Sequence, residues 1–380
     1  MFTPLSVLRC ILPIITVLVV AYPASAAASA PHALFVGKYP FAAVVNQRDH
    51  RAVVFDRPAN TVAVPDTVAR RVIRVLTMPA GALAVSACEQ TGRVFSADAD
   101  GSVAMLDARS GEVLHTTRVG DYLDAVAADN ATRRVFVADY AHGTVSVLDA
   151  RSGNRLHTVS VGGSPGDIAV DGAGGHAFVA NKGYVSVLNA RSGHLLRTVP
   201  VGMFARHIAV DNGTHRVFIA GDVSGGPPGA AVIGGLWVLD SRTFVTVTRQ
   251  RIGGFPQAIG VDAPSGHVFI DSQAARTVTT VDARSGAVTH LTRLGLIPSI
   301  LAIDPRVGRV FVPVTASRAG GYRGYVDVLS AGDGHMLFRV PAGVAPSMVV
   351  LDAGSGTALA LNTNMTRGGR GSVTVFSAGG

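Results

Sequence analysis

A unit of about forty residues recurs along this chain, and repetition at a fixed period decides architecture before any single residue decides chemistry. Residues 103–120 read VAMLDARSGEVLHTTRVG, 145–162 read VSVLDARSGNRLHTVSVG, and 185–202 read VSVLNARSGHLLRTVPVG. A weaker copy, VTTVDARSGAVTHLTRLG, covers 278–295. Within each unit an apolar run ends in Asp, and the Phe of a second run follows seven residues later: Asp129 with Phe136, Asp171 with Phe178, Asp211 with Phe218, Asp262 with Phe269, Asp304 with Phe311. Asn46 with Val53, Cys88 with Phe95 and Asp352 with Leu359 keep the spacing with changed residues, which makes eight copies.

A third run closes on Asp66, Asp107, Asp149, Asn189, Asp240, Asp282, Ser330 and Ser377. A fourth run, such as RLHTVSVG, leads to a Gly thirteen residues beyond that position in copies two to seven. Short β-branched runs punctuated by turn residues are strands. Four antiparallel strands per unit describe an all-β chain, a β-propeller of four-stranded blades with eight repeats. The Asp ending each first strand has a structural task, accepting hydrogen bonds from backbone N–H groups in the following turn. DARSG is likewise a turn, its Gly supplying the positive φ. The last copy stops three strands in, at SVTVFSAGG, while ALFVGKYP near the N-terminus has the Gly-to-Pro spacing of VGGSP. The expectation is that residues 33–37 complete the last blade and close the ring.

The unit VFVADYAHGTVSVLDARSGNRLHTVSVGGSPGDIAVD resembles the YVTN-type (YncE-like) β-propeller repeat family over nearly the whole chain beyond its first residues. Members of that family are commonly seven-bladed, so the resemblance implies seven blades as the alternative to the eight counted. It implies little about function, because such propellers include binding proteins, surface proteins and enzyme subunits.

The N-terminus carries an apolar run, Ile11 to Val20, preceded by Arg9 and followed by small residues. That run is short for a bilayer span and fits a secretory signal peptide over 1–28, with a single propeller domain over 29–380. An exported protein, periplasmic or extracellular, with no membrane span in its mature form is expected; a retained anchor is the alternative. Once 1–28 is removed, Cys88 is the only cysteine, so packing must hold the fold without an intrachain disulfide.

The formal charge is +8, yet the chain has no dense basic run of the kind that marks a nucleic-acid arm. Three copies lengthen the loop after their second strand: AGDVSGGPPGAAVIGGLWV in the fifth, PVTASRAGGYRGYVDV in the seventh and LNTNMTRGGRGSVTV in the eighth. Insertions at one loop position fall on one face of the disc, and such a face is where repeat proteins bind. The long loops bring Arg318, Tyr322, Arg323, Arg367 and Arg370 to that face, and the starts of the first strands bring Asp124, Asp167, Arg206, His207 and Gln257. The expectation is a polar, mostly cationic rim that takes an acidic ligand or partner, whether a protein, a polysaccharide or another anionic polymer.

No cofactor is expected. The chain has no C-x-x-C-H haem signature, Trp237 is its one tryptophan, which is against a quinoprotein propeller, and no G-x-S-x-G elbow occurs. No His pair has metal-ligand spacing, so no metal is expected either. The leading reading is a non-catalytic binding or scaffold propeller acting through the long-loop face. An enzyme remains as the alternative, a lactonase-like hydrolase or lyase with His207 and Asp167 or Asp124 at the channel mouth. Single-stranded nucleic acid fits the charge but lacks interleaved aromatics.

Overall fold

The computed structural model describes residues 31–223, 232–318, 321–363 and 369–379. The expected signal segment 1–28 therefore lies outside the described residues, as do Arg367 and the tips of the three long loops. Blade 3 shows the unit at its plainest: Leu123–Asp129, Arg134–Asp139, Thr144–Asp149 and Arg155–Ser160 pair in that order, each antiparallel to the next. Blades 1, 2 and 6 repeat this, beginning at Pro40, Ala82 and Pro256.

Hydrogen bonding runs through seven sheets, one of which has seven strands. That sheet is two blades in one, because the long strand Leu195–Asp211 is the outer strand of blade 4 and continues as the inner strand of blade 5. The ring thus has eight blades, as the repeat count requires, and not the seven of the alternative. In blade 7 the inner strand is broken into Ile297–Pro298 and Ala302–Asp304.

His32–Gly37 pairs antiparallel with Gly371–Ser377, Leu34 opposite Val373, and supplies the fourth strand of blade 8. Leu34 and Val36 pack in one cluster with Ala43 and Val54 of blade 1 and Leu359 and Leu361 of blade 8. Closure by the N-terminal strand therefore covers an edge that would otherwise expose unpaired backbone.

The second strands explain the recurring Phe. Val135, Phe136, Val137 and Ala138 all have 0% exposure, because a blade is covered on both faces by its neighbours. Val135 and Val137 pack toward blade 2, and Phe136 and Ala138 toward blade 4. These inner runs are consequently apolar throughout, while the outer strands, with one face in water, alternate. The repeated histidines have a packing role of the same kind. A Cβ on Gly193, which has φ +74°, would lie 2.3 Å from His157 Nε2, so the turn of blade 4 rests directly on the outer strand of blade 3.

The repeated carboxylates act as the turns demand. Asp129 Oδ1 accepts from Ala131 N–H at 2.9 Å, and Asp149 Oδ1 accepts from the N–H groups of Arg151 and Ser152, both at 3.0 Å. Cys88, at the position Asp holds elsewhere, is fully buried and free.

Candidate binding site at the channel mouth

The inner strands enter the disc with a shared irregularity. In six blades the register slips by one residue at the start of the first strand, leaving Phe41, Leu83, Asp124, Arg206, Gln257 and Ser347 unpaired. A bulge of this kind re-aims a side chain. All six line one cavity of about 650 Å³ at the mouth of the central channel, which opens on the face carrying the loops after the second strands. Gly166 of blade 4 and Ser299 of blade 7 hold the same repeat position and complete the ring. The next residue inward adds Asp167, His207, Ile300 and Met348.

Five of the ten candidate residues thus meet in a single cavity: Asp124, Asp167, Arg206, His207 and Gln257. Of the others, Tyr322, Arg323 and Arg370 are not among its lining residues, and Arg367 lies outside the described residues. Arg318 and Gly321 close the blade 7 hairpin, Tyr322 stands opposite Ser317 and is 41% exposed, and Arg323 is exposed opposite Ala316. Arg370 is exposed beside the third strand of blade 8.

The long loop of blade 7 is built as an extension of the sheet. Its hairpin strands, Arg309–Arg318 and Gly321–Ser330, have ten residues each against six in blade 3, which carries the ladder four pairs beyond the usual end. Blade 5 extends by two pairs, Asp222 with Gly234 and Val223 with Ile233. Both hairpins rise on the face where the cavity opens.

The charge at the mouth differs from the cationic rim expected. Arg206 is held by Asp222, to which its Nε donates, and its guanidinium lies 5.1 Å from the Phe204 ring centre and 5.6 Å from that of Phe255. His207 Nδ1 stands 3.7 Å from Asp167 Oδ2. Asp167 also accepts from the Ile168 N–H at 2.8 Å and the Ile208 N–H at 3.0 Å, which ties blade 4 to blade 5. Asp124 makes no hydrogen bond or ion pair among the described residues. Asp124 is exposed to the channel, and partial desolvation among the surrounding strands, then the neighbouring Asp167 carboxylate, push its carboxyl up, with His207 opposing. The uncommitted charge at the mouth is therefore negative, and the exposed Arg323 stands apart on the blade 7 hairpin.

Behind the wall, Asp271 is wholly buried. Its Oδ1 accepts from the N–H groups of Ala258 at 2.6 Å and Gln257 at 3.2 Å, so it fixes the blade 6 bulge, and burial pushes its carboxyl up to about 7. No group of three or more His, Cys, Asp or Glu side chains among the described residues is arranged to hold a metal ion. His142 is committed to Asp139, Nδ1 to Oδ2 at 2.7 Å.

The apolar side of the mouth went unread in the sequence. Phe41, Leu83, Ile300 and Met348 face the channel in blades 1, 2, 7 and 8, whereas the charged groups come from blades 3, 4 and 5. A signal was present: aligned by repeat, these positions are where neighbouring copies stop agreeing. Aromatic side chains, which the sequence seemed to lack at the binding face, are also gathered there. Tyr39, Tyr140 and Phe204 line the cavity, and Tyr122 packs edge-on to Tyr140 at 5.7 Å while remaining 54% exposed.

A family model described as outer membrane protein assembly factor BamB matches residues 75–292. Among solved structures, BamB from Moraxella catarrhalis aligns with a TM-score of 0.63 at 14% identity, over 92% of this chain and 99% of that one. The computationally designed Ika8 protein aligns at 0.65 with 15% identity, over 90% and 98%. Kuenenia stuttgartiensis hydrazine synthase aligns at 0.61 with 13% identity, over 90% and 96%. At such identities the likeness is one of fold. No curated protein matches the chain by sequence.

Proposed function

The chain belongs to the family described as outer membrane protein assembly factor BamB, and from that premise we propose that it is an exported, non-catalytic propeller that binds a protein partner through the face bearing the channel mouth. The repeat units are of the YVTN type within that broader propeller family. One observation carries the reading: the cavity and the two extended hairpins, of blades 5 and 7, rise on the same face. The blade 7 hairpin adds exposed Tyr322 and Arg323, and the blade 5 hairpin exposed Val223 and Ile233, around a concave, partly apolar centre, a mixed surface of the kind that docks a protein.

The carboxylates of Asp124 and Asp167 work against an anionic polymer seated at the mouth itself. Arg323 of the blade 7 hairpin, exposed opposite Ala316, is far better placed for an acidic group on the rim of a protein partner.

The test is affinity capture from the exported fraction of the source cell. The bait is the full propeller, beside a variant in which residues 316–323 are replaced by a two-residue turn. A protein held by the first bait and lost by the second supports the reading. A partner held equally by both removes the blade 7 hairpin from it, and fractionation that finds the protein only in the cytoplasm removes export.

A hydrolase or lyase is the second reading, favoured by the contact between His207 and Asp167 at an open cavity. Both Asp167 oxygens already accept backbone N–H groups, which suits a strap between blades better than a general base. Turnover of a lactone panel by the wild-type protein, abolished in His207→Ala, would establish the enzyme in place of the scaffold.

A further inference from the structure

We propose that the channel mouth seats one cationic side chain, arginine or lysine, of a protein partner, with an apolar neighbour of that side chain lying against the wall of Phe41, Leu83 and Met348. This rests on the reading of the face as a protein-docking surface and names what the centre of that surface recognises.

The order of residues around the ring is the first ground. Eight near-identical blades would present eight near-identical residues to the axis, and at the buried Phe position between blades six of the eight copies do repeat themselves. At the axial positions it does not, and the departures are grouped by kind. The carboxylates come from the adjacent blades 3 and 4, and the large apolar side chains from the contiguous run of blades 7, 8, 1 and 2. The result is a two-sided hollow, with negative charge on one wall and apolar surface on the other. Its volume of about 650 Å³ falls within the range of roughly 300–1,000 Å³ typical of ligand pockets.

Charge supplies the second ground. Asp124 has no hydrogen-bond or ion-pair partner among the described residues, and the two arginines beside the cavity are engaged elsewhere: the Arg57 guanidinium lies 5.5 Å from the Phe41 ring centre. Arg206 is bonded to Asp222 and enclosed by Phe204 and Phe255. Asp124 and Asp167 repel one another across the mouth, a repulsion that a guest cation relieves. The hollow is anionic on a chain whose formal charge is +8, so its sign is a property of these positions and not of the whole surface.

Shape and bonding capacity agree. Gln257 adds a neutral side-chain amide to the cavity wall, able to accept from a guest donor. The bulges hold these side chains on sheet backbone, so the site is formed before a ligand arrives.

Isothermal titration of the full protein with acetyl-leucyl-arginine amide tests this, beside the citrulline isostere, which keeps the shape and loses the charge. The arginine probe is expected to bind about tenfold or more tightly than the citrulline probe, as for a charge-assisted contact. Asp124→Asn should abolish that preference. Phe41→Ser should weaken both probes by a similar factor. Equal binding of the two probes by the wild-type protein overturns the proposal without recourse to any variant. So does free arginine methyl ester binding as tightly as the dipeptide, since the apolar wall would then be idle. Probe binding without a captured partner leaves the cation seat standing and removes the scaffold reading. A captured partner with no preference between probes does the reverse.

Discussion

Asp98 is the carboxyl whose replacement speaks most directly to how the inner rim of this propeller is held. It ends the second strand of blade 2, is 0% exposed, and neither of its oxygens has a hydrogen-bond partner among the described residues. Its counterpart in blade 1, Asp56, accepts the N–H of Tyr39 at 2.8 Å, and its counterpart in blade 3, Asp139, accepts that of Ala141 at 3.0 Å. Burial pushes the Asp98 carboxyl up to about 7 from an ordinary 3.8, with Ser96 opposing and Asp100 adding to the rise. A folded-state value above the unfolded one means stability is fully present below about pH 3.8 and is lost as pH rises through about 7. The whole difference corresponds to about 4 kcal/mol, of which about 2–3 kcal/mol falls between pH 5 and pH 9. Asp98→Asn cannot lose a proton. Its buried amide carries a penalty of its own, but one that does not change with pH. In a chain of this size, 2–3 kcal/mol is about 4 °C in melting temperature. Calorimetric scans at pH 5 and pH 9 should therefore show the wild-type protein losing about 4 °C more than the variant. Asp271, also raised, is common to both proteins and cancels. Equal losses in the two proteins would show that Asp98 is ionised and solvated at neutral pH, and the reasoning from its burial would fail.

Three other perturbations follow from the packing between blades. Phe136→Ala empties a site of 0% exposure between blades 3 and 4 and should cost about 3–5 kcal/mol by chemical denaturation. Gly193→Ala and Gly175→Ala both place a side chain at φ +74°. The second meets nothing within 4 Å and should cost about 1 kcal/mol, while the first drives into His157 and should cost about 1–3 kcal/mol more. Deleting residues 32–37 uncovers the edge of Gly371–Ser377 and the buried Leu34 and Val36. About 5 kcal/mol of stability should be lost on burial alone, with concentration-dependent association seen by light scattering as the freed edge pairs between molecules.

The fold was legible because its determinants are repeated. The Phe seven residues after the end of the first strand meets neighbours built from the same unit in six of the eight blades, so one physical requirement is written many times, and spacing recovers it. Closure by the N-terminal strand was legible for the same reason, as the missing quarter of an otherwise complete unit. The shared strand Leu195–Asp211 was not, because nothing in the local pattern marks where an outer strand runs on without a turn into the next inner one. The blade 7 insertion was read as a loop, yet it continues the ladder to Arg318 and Gly321. Its Gly- and Arg-rich sequence lacks the apolar alternation by which strands are recognised, since both faces of a projecting hairpin meet solvent. Half of the candidate site was found, and the half that was missed was apolar: Phe41 and Met348 look like core residues until the bulges that turn them toward the axis are seen.

That division has a physical cause, and it bears on where function resides in such a ring. A side chain between blades must fit a neighbour built from the same unit, so a change in one copy calls for a matching change in the next, and the copies stay alike. A side chain at the axis meets no equivalent neighbour. It faces the channel, where its partners are solvent, a ligand, or whatever side chains its own loops happen to bring, as Asp222 is brought to Arg206. Changes there cost little stability and are free to differ from blade to blade, which is why Phe41, Leu83, Asp124, Arg206, Gln257 and Ser347 share one repeat position and almost no chemistry. The Asp residues that end the first strands of blades 3, 4, 5, 7 and 8 are the opposite case, alike because each caps the same turn. Among carboxylates in a repeat protein, those the repeat keeps are accounted for by the fold. Those standing where the repeat lapses, Asp124 and Asp167 here, need an explanation from outside it, and a cation brought by a partner is the one their surroundings supply.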